Sequence, residues 1–119
     1  MKHRPQQAVS CLLVVLLSLV VGAYNKKLLQ SPEQGVLCDT YVCADGNGIS
    51  GMLTAKSLGK QKADHLAEQR MSDLTEFTYE NGIFCDVKVK LCRKDRYYEA
   101  NGKRSGIPDA AATQQLFGQ

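Results

Sequence analysis

The sequence predicts a small α+β protein, mostly antiparallel β-hairpins with one or two short helices, that is stapled by disulfides. A seven-residue segment occurs twice, at 33–39 and 80–86, with four identical and three similar residues. Each copy contains one cysteine and is followed by a second. Asn-Gly pairs, which favour tight turns between antiparallel strands, separate stretches rich in β-branched and aromatic residues.

The first 23 residues are predicted to be an export signal. Residues 1–4 are a cationic start, and Gly22 and Ala23 provide the small residues that signal peptidase requires. The apolar stretch between them, 8–21, has 14 residues, fewer than the roughly 20 of a membrane-spanning helix. We expect cleavage after Ala23, one domain over 24–119 without a transmembrane segment, and a periplasmic or secreted protein. An uncleaved anchor is the alternative.

Removal of the signal changes the charge of the chain. The chain has 15 Lys and Arg against 12 Asp and Glu, and two basic residues, Lys2 and Arg4, leave with the signal. The remaining 13 basic and 12 acidic residues make a nearly neutral domain. Such a domain has no overall charge that favours nucleic acid or an anionic membrane, so nucleic acid is not expected as a partner.

Four cysteines follow the signal, and all of them are expected to form disulfides: Cys38, Cys43, Cys85 and Cys92. A domain of this size buries only about 60 to 65% of the surface that its unfolded chain exposes, so its core alone leaves it marginally stable. In an oxidising compartment each disulfide adds typically about 2 to 4 kcal/mol. A zinc site is the rival interpretation, but the C-x4-C and C-x6-C spacings differ from the C-x2-C pairs of zinc ribbons. No cofactor is expected.

The sequence leaves the pairing of these cysteines open. Polar and apolar residues alternate over 86–91, which is typical of a half-buried strand. If that strand were straight, Cys85 and Cys92 would lie about 23 Å apart, too far for a disulfide. If each repeated unit formed its disulfide within itself, Cys38 would pair with Cys43, and Cys85 with Cys92. We favour these local pairs, and cross-unit pairs are the alternative.

The first half of the domain is predicted to contain an extended lead-in and two strands. Residues 24–32 form the lead-in, and 36–43 have the β-branched and aromatic content of a strand. The glycines of Asp45-Gly46-Asn47-Gly48 predict a turn, after which 49–53 are expected to return as the partner strand.

A short helix is predicted within residues 54–71. Thr54 is the candidate helix cap. Helical spacing is seen for the apolar residues Ala63, Leu66, Ala67 and Met71. Gly59 is expected to split the helix, because glycine is a poor residue for a helix interior.

The second half is predicted to return to strands. Phe77 and Tyr79 alternate with polar residues, and Asn81-Gly82 predicts a hairpin turn after them. A second Asn-Gly pair, at 101–102, predicts another turn. The last residues are expected to form a tail that packs, if it packs, through Leu116 and Phe117.

Each catalytic or metal-binding pattern has a better structural explanation. Asp45-Gly46-Asn47-Gly48 resembles the middle of an EF-hand loop, but Thr54 stands where the acidic ligand belongs, so an ordinary turn is predicted. His65, the one histidine outside the signal, is predicted to lie on the surface. Asp39 and Asp86 are predicted to cap backbone N–H groups rather than form an acid–base pair. We therefore predict that the protein is not an enzyme.

A basic and aromatic stretch is the candidate binding surface. It comprises Arg93, Lys94, Arg96, Tyr97, Tyr98, Lys103 and Arg104. Phosphate groups and stacked rings bind to such combinations. Asp95 and Glu99 lie among these residues, so a solvated and partly self-neutralised face explains the pattern better. It is nevertheless the place where a polyanionic partner would be sought first.

Five runs over roughly residues 31 to 118 form a distinctive pattern: 35–39, 43–50, 81–86, 95–98 and 102–105. In these runs the chain resembles the Fels prophage protein-like or YcgJ family of small exported proteins of Gram-negative bacteria. The resemblance implies a periplasmic or secreted location and paired cysteines. It implies no activity and supplies no catalytic residues.

Three functional hypotheses follow. The favoured one is a non-enzymatic periplasmic or secreted protein that binds an unknown partner, such as an envelope protein or a polyanionic envelope component, or that lends structure to the envelope. The second is an inhibitor of an envelope-attacking hydrolase such as lysozyme, with the loop at 44–50 or the stretch at 93–104 entering the enzyme's cleft. The third, a hydrolase or redox enzyme, lacks both a nucleophile–base pattern and a C-x-x-C pair.

Overall fold

Two three-stranded antiparallel sheets and three helices form the regular structure of residues 28–118, the part of the chain that the computed structural model describes. In chain order the elements are β1 (Leu37–Cys38), β2 (Cys43–Asp45), β3 (Gly48–Ile49), α1 (Gly51–Leu58), α2 (Lys60–Glu68), β4 (Glu76–Thr78), β5 (Phe84–Asp86), β6 (Leu91–Arg93) and α3 (Ala110–Phe117). The predicted α+β class is confirmed. The predicted signal, residues 1–23, lies outside the described residues, so the domain boundary stays a prediction.

Each sheet contains a short hairpin that is closed by a disulfide. The strand order is β1-β2-β3 in the first sheet and β4-β5-β6 in the second. Cys38 lies directly opposite Cys43, and Cys85 directly opposite Cys92, with Cα atoms 4.1 and 4.0 Å apart. Facing residues without mutual hydrogen bonds are about 4.5 Å apart in antiparallel sheets, which brings their side chains together. The local pairing is confirmed, and the cross-unit alternative is wrong.

The strand predicted over 36–43 is wrong because the chain reverses inside it. Asp39 Oδ1 accepts the N–H groups of Tyr41 and Val42, both at 2.8 Å. A side-chain oxygen thus replaces a partner strand as the acceptor for these backbone groups, and a turn separates β1 from β2. The predicted capping role of Asp39 is confirmed.

The strand predicted over 86–91 is wrong for a similar reason. Asp86 Oδ1 accepts the N–H of Lys88 at 2.9 Å, and residues 87–90 form the turn between β5 and β6. The alternation of Val and Lys indicated extended backbone, but the side-chain bond of Asp86 and the facing cysteines favour a reversal. The predicted capping role of Asp86 is confirmed.

The helical middle begins three residues earlier than predicted. Ser50 caps α1, and its Oγ accepts a backbone N–H of the first turn at 3.0 Å. The strand predicted over 49–53 therefore ends at Ile49, and Thr54 is not the cap, because serine is the stronger N-cap residue. Gly59, with φ of 101°, ends α1 before α2 begins, which confirms the predicted split.

The first cysteine hairpin is tied to the helix that follows it. We call residues 37–58 the first cysteine unit. The Ser50 N–H donates to Cys43 O at 3.0 Å, and the Cys43 N–H donates to Thr54 Oγ1 at 3.0 Å. Thr54 is fully buried, and its hydroxyl donates to Ser50 O at 2.7 Å. One threonine therefore links β2 to α1.

The second cysteine hairpin makes matching contacts with α3. We call residues 84–117 the second cysteine unit. The Asp109 N–H donates to Cys92 O at 2.8 Å, and the Cys92 N–H donates to Thr113 Oγ1 at 2.9 Å. As in the first unit, the residue that caps the helix lies four positions before the threonine. Both helices are therefore held against the second strand of their hairpin by the same bonds.

The predicted tail is the helix α3. Asp109 begins it by accepting the N–H of Ala112 at 3.0 Å. Leu116 is buried in the core and Phe117 packs against that core, so the predicted packing of the tail is confirmed. Within residues 28–118, no helix has the length and apolarity needed to cross a bilayer.

A buried tyrosine directly after β4 is hydrogen-bonded to the first cysteine unit. The Tyr79 hydroxyl donates to Leu37 O at 2.7 Å, and its ring meets the Phe77 ring edge-on at 5.4 Å. Burial, and to a lesser degree the charges of Asp39 and Asp45, raise the pKa of Tyr79 well above its usual value. The hydroxyl therefore remains a donor. The surrounding core contains Leu37, Ala44, Phe77, Tyr79, Cys85, Cys92, Ala112 and Leu116.

Candidate functional site

A long hairpin separates β6 from α3 in the second cysteine unit. We call residues 95–106 the tyrosine hairpin. Backbone hydrogen bonds join its two arms, from Ser105 N–H to Tyr97 O and from Glu99 N–H to Lys103 O. The bond from Lys94 N–H to Ile107 O closes its base. At the corresponding place the first unit has only the two-residue turn Gly46-Asn47 between β2 and β3.

The tip of the tyrosine hairpin is the turn that Asn101-Gly102 predicts. The Gly102 N–H donates to Glu99 O at 2.9 Å. Asn101 Oδ1 accepts the N–H of Lys103, also at 2.9 Å. The predicted turn is therefore confirmed, and every residue from 96 to 103 is exposed.

Arg104 fixes the tyrosine hairpin against the second sheet. Its guanidinium lies between two rings, 4.2 Å from the centre of Phe84 and 4.0 Å from the centre of Tyr98. Arg104 Nη2 also pairs with Glu76 Oε1 at 2.9 Å. A planar guanidinium forms stacking and ion-pair contacts at the same time, so these interactions favour one arrangement. Tyr98 is thus held in place although it is 61% exposed.

Two more of the predicted basic residues have partners at the base of the hairpin. Arg93 donates to Gly106 O at 2.7 Å, and Lys94 Nζ pairs with Asp109 Oδ1 at 2.7 Å. The bond from Lys94, followed by that from the Ala112 N–H, lowers the pKa of Asp109 below its usual value. Both side chains are therefore bound to groups of the protein itself, although the Lys94 side chain is 60% exposed.

The rest of the candidate surface is exposed on the hairpin itself. The residues are Arg96, Tyr97, Tyr98 and Lys103. The Arg96 guanidinium lies 5.7 Å from the centre of the Tyr97 ring, and the Lys103 side chain forms no ion pair with any residue from 28 to 118. Tyr97 and Tyr98 are each 61% exposed. Four of the seven predicted residues thus share one accessible surface.

The tyrosine hairpin is close to electrically neutral. Arg96 and Lys103 are offset by Asp95 and Glu99 on the same hairpin. Opposite charges spaced this closely leave little field beyond the screening length of about 10 Å. The surface is therefore distinguished by its aromatic rings more than by positive charge.

The other predicted contact loop, 44–50, does not project from the protein. Gly48 is buried against Leu74, whose carbonyl oxygen would clash with any side chain at this position. Asp45 Oδ1 accepts the N–H of Asn47 at 2.9 Å, which confirms an ordinary turn rather than an EF-hand loop. Asn47 is the one exposed residue of this loop. The expectation of an exposed loop here is wrong.

The cysteines and the histidine do not form a catalytic pair. The four cysteines that follow residue 23 are at most 1% exposed and are bonded in two disulfides, so none of these sulfur atoms is a free zinc ligand or nucleophile. His65 is exposed, as predicted, and its ring nitrogen lies 3.4 Å from Gln69 Nε2. In the part of the chain that the structure describes, no three His, Cys, Asp or Glu side chains are grouped to hold a metal ion.

Comparison with known proteins shows the family to which the sequence belongs. A family model described as YcgJ protein matches residues 29–117. The chain belongs to the YcgJ family. The "Uncharacterized protein YcgJ" of Escherichia coli (strain K12) is 52% identical over 89 residues, which are 75% of this chain and 73% of that relative. No solved structure matches the chain.

Membership of the YcgJ family confirms the resemblance seen in the sequence. The matched residues, 29–117, include both cysteine units and the whole tyrosine hairpin. The names of the family and of the relative state no activity, so the function has to be argued from the site.

A cleft beside α2 was not predicted from the sequence. It is a cleft of about 390 Å³, within the range of small-ligand sites. Its lining includes Tyr41 from the turn after β1, His65 from α2, Phe77 from β4 and Glu80 from the following turn. Residues so far apart in the chain share no local motif, because only tertiary packing brings them together.

Proposed function

We propose that the protein is exported, is not an enzyme, and binds an envelope component through the tyrosine hairpin. The supporting observation is that the first cysteine unit closes with a short turn at the place where the second unit has this hairpin. Six residues lie between Cys43 and Ser50 but 16 between Cys92 and Asp109, although each pair forms the same backbone hydrogen bond. We infer that the two cysteine units are copies of one architecture and that the extra residues serve binding.

The exposed residues favour a protein as the partner. Tyrosines often dominate protein interfaces, because they bury a large area and lose little side-chain entropy. The stack on Arg104 fixes Tyr98 before any partner arrives, which lowers the entropic cost of binding. Arg96 and Lys103 favour an acidic rim on that partner, while the near-neutral charge of the hairpin gives less support to a polyanion.

Export is supported by the predicted signal and by the chemistry of the disulfides. Disulfides persist in oxidising compartments such as the periplasm and are rare in the cytosol. We expect the protein in the periplasmic or secreted fraction, with Tyr24 as its first residue. N-terminal sequencing after cell fractionation tests this, and a cytosolic protein that retains residues 1–23 would contradict it.

A deletion of the hairpin tests the binding function. This variant replaces residues 93–108 with the segment that joins Cys43 to Ser50, which is Ala-Asp-Gly-Asn-Gly-Ile. We expect both disulfides to form, because the first unit closes with that segment. The free energy of unfolding falls, since Phe84 loses the cover of Arg104. The immobilised variant should no longer capture the envelope partner that the unaltered protein captures, and unchanged capture would contradict the proposal.

Paired point variants separate aromatic from ionic recognition. Tyr97→Ala combined with Tyr98→Ala should abolish capture, whereas Arg96→Glu combined with Lys103→Glu should weaken it. Tyr41→Ala, an exposed tyrosine elsewhere on the protein, is the matched control and should leave capture unchanged. If charge reversal alone abolishes capture, the partner is a polyanionic envelope component rather than a protein.

Inhibition of an envelope-attacking hydrolase such as lysozyme is a second candidate. The observation in its favour is a fully exposed hairpin tip on a base fixed by Arg93, Lys94 and Arg104, a shape that can enter a cleft. Lysozyme turnover measured with the added protein should fall, and the hairpin deletion should restore it. A rate that stays unchanged would exclude this candidate.

A further inference from the structure

Two Asn-Gly turns of the protein are held by the same hydrogen bonds. In the first, which follows β4, the Tyr79 N–H donates to Ile83 O at 2.8 Å, and the Gly82 N–H donates to Tyr79 O at 2.9 Å. Asn81 Oδ1 accepts the N–H of Ile83 at 3.1 Å. The turn at 99–103, the tip of the tyrosine hairpin, has the equivalent three bonds at 2.7, 2.9 and 2.9 Å. The two turns therefore differ in their surroundings and not in their own hydrogen bonding.

The first of these turns is anchored in the core, whereas the tip of the hairpin is not. Tyr79 is 2% exposed, and Ile83 packs against the core. The Glu80 N–H also donates to Asp39 Oδ2 at 2.7 Å, which ties this turn to the first cysteine unit. In the tip, every residue from 99 to 103 is exposed. Opening the tip therefore breaks only its own hydrogen bonds, while opening the first turn also exposes apolar side chains to water.

The third Asn-Gly pair of the chain, Asn47-Gly48, lies at the edge of the first sheet. Gly48 is buried in β3 opposite Asp45 of β2, and the carbonyl group of Leu74 packs directly against it. The N–H of the next residue, Ile49, donates to Leu74 O at 2.9 Å. The backbone of this pair therefore changes conformation only when the sheet is disrupted.

We propose that Asn101 is a modification site, at which water converts the asparagine to aspartate and isoaspartate without an enzyme, and that the fold makes it the most reactive of the three Asn-Gly pairs. The backbone nitrogen of Gly102 loses its proton and attacks the side-chain amide carbon of Asn101. A C–N bond forms, the bond to the amide NH2 group breaks, and ammonia leaves with that proton. Water then opens the cyclic imide at either of its two C–N bonds, which gives aspartate or isoaspartate. Glycine favours the attack because it has no Cβ and adopts backbone conformations that other residues resist.

The closed turn delays this reaction. The Gly102 N–H is donated to Glu99 O, and Asn101 Oδ1 is held by the Lys103 N–H. Because the attack needs these groups to be free, its rate follows the fraction of molecules in which the turn is open. The exposed tip opens at a lower cost than the two other pairs, so its asparagine should react first.

The reaction adds one negative charge to the tyrosine hairpin, next to Lys103. The asparagine amide is neutral, whereas both products carry a carboxylate that is ionised at neutral pH. Ion-exchange chromatography therefore separates the modified from the unmodified protein. Because this detection needs no partner, the proposal does not depend on the binding function proposed above.

Peptide mapping by mass spectrometry after warm incubation of the oxidised protein at mildly alkaline pH tests the proposal. We expect Asn101 to convert at least about tenfold faster than Asn81, which corresponds to about 1.4 kcal/mol in the free energy of opening. Asn101→Gln should remove the early acidic form, because glutamine would have to close a larger ring. Equal rates at Asn101 and Asn81 in the folded protein would overturn the proposal.

The unfolded protein is the matched control. With its disulfides reduced and the chain unfolded in guanidinium chloride, no fold protects Asn47, Asn81 or Asn101, and each is followed by glycine. We expect their rates to become similar. No conversion of Asn101 in the folded protein while the unfolded chain reacts would overturn the proposal. An advantage of Asn101 that is just as large in the unfolded chain would also overturn it, because local sequence and not the fold would then select the site.

Discussion

A buried phenolic hydrogen bond joins Tyr79 to the first cysteine unit. The bond from the Tyr79 hydroxyl to Leu37 O is buried, and the raised pKa of Tyr79 keeps its proton in place. We expect Tyr79→Phe to lower the free energy of unfolding by about 0.5 to 1.5 kcal/mol, the usual net value of such a bond. Urea unfolding measures this. Tyr97→Phe, at an exposed ring, is the control, and equal losses in both variants would show that the bond contributes nothing.

Asp109 makes the stability of the protein depend on pH. Its pKa is lowered in the folded protein by Lys94 and the Ala112 N–H. Its contribution is therefore complete above the unfolded value of about 3.9 and is lost as the pH falls through the lower folded value. Asp109→Asn keeps a good N-cap but removes the charge, at a cost of about 1 kcal/mol or less near neutral pH.

The role of the Asp109 charge is tested by the pH dependence of the stability lost in Asp109→Asn. Urea unfolding of the protein and of Asp109→Asn, measured from pH 7 down to pH 2, should show a gap in stability that closes at the acid end. Because the two proteins differ only at this carboxylate, a gap that closes belongs to its charge. A gap that is constant with pH would contradict the role of its charge.

Among the elements, each cysteine hairpin depends on its own disulfide. The two bonds close short loops, with separations of 5 and 7 residues, for which chain entropy predicts about 2 to 2.5 kcal/mol each. Replacement of Cys38 and Cys43 by alanine, or of Cys85 and Cys92, should therefore cost similar amounts in chemical unfolding. If the cysteines left in either variant titrate as free thiols before unfolding, the local pairing is contradicted.

Patterns of neighbouring residues predicted the turns more accurately than the strands. Asp45-Gly46-Asn47-Gly48 and Asn101-Gly102 indicate their own turns, because glycine and asparagine stabilise turn conformations within a few residues. A β-rich pattern over 36–43 or 86–91 indicates extended backbone but not the residue at which it reverses. That residue is set by the side-chain bonds of Asp39 and Asp86 and by the facing cysteines.

The candidate site was predictable in composition but not in arrangement. The basic and aromatic stretch is visible in the sequence, yet Arg104 pairs with Glu76, 28 positions earlier, and stacks on Phe84. These long-range contacts decide which residues stay exposed. The helix α3 was missed for the same reason, since its bond from Cys92 to Thr113 spans 21 positions.

For the whole molecule, the two disulfides contribute a large part of the free energy of unfolding. Two disulfides worth about 2 to 2.5 kcal/mol each compare with a typical net stability of about 5 to 15 kcal/mol for a domain. The core they support is small, and four of its most buried side chains are the cysteines themselves. Reduction should therefore weaken the entire fold and not only the two hairpins.

We expect reduction with dithiothreitol to lower the unfolding midpoint by about 15 °C or more, because about 4 to 5 kcal/mol is lost and each kcal/mol shifts a domain of this size by about 4 to 8 °C. Since the cysteines are at most 1% exposed, the protein should first be unfolded in urea with the reductant and then refolded in its presence. A variant in which the four disulfide-forming cysteines are changed to alanine should be insensitive to dithiothreitol and should melt at the same temperature as the reduced protein. An unchanged midpoint after complete reduction would mean that the apolar core and its hydrogen bonds stabilise the fold without the disulfides.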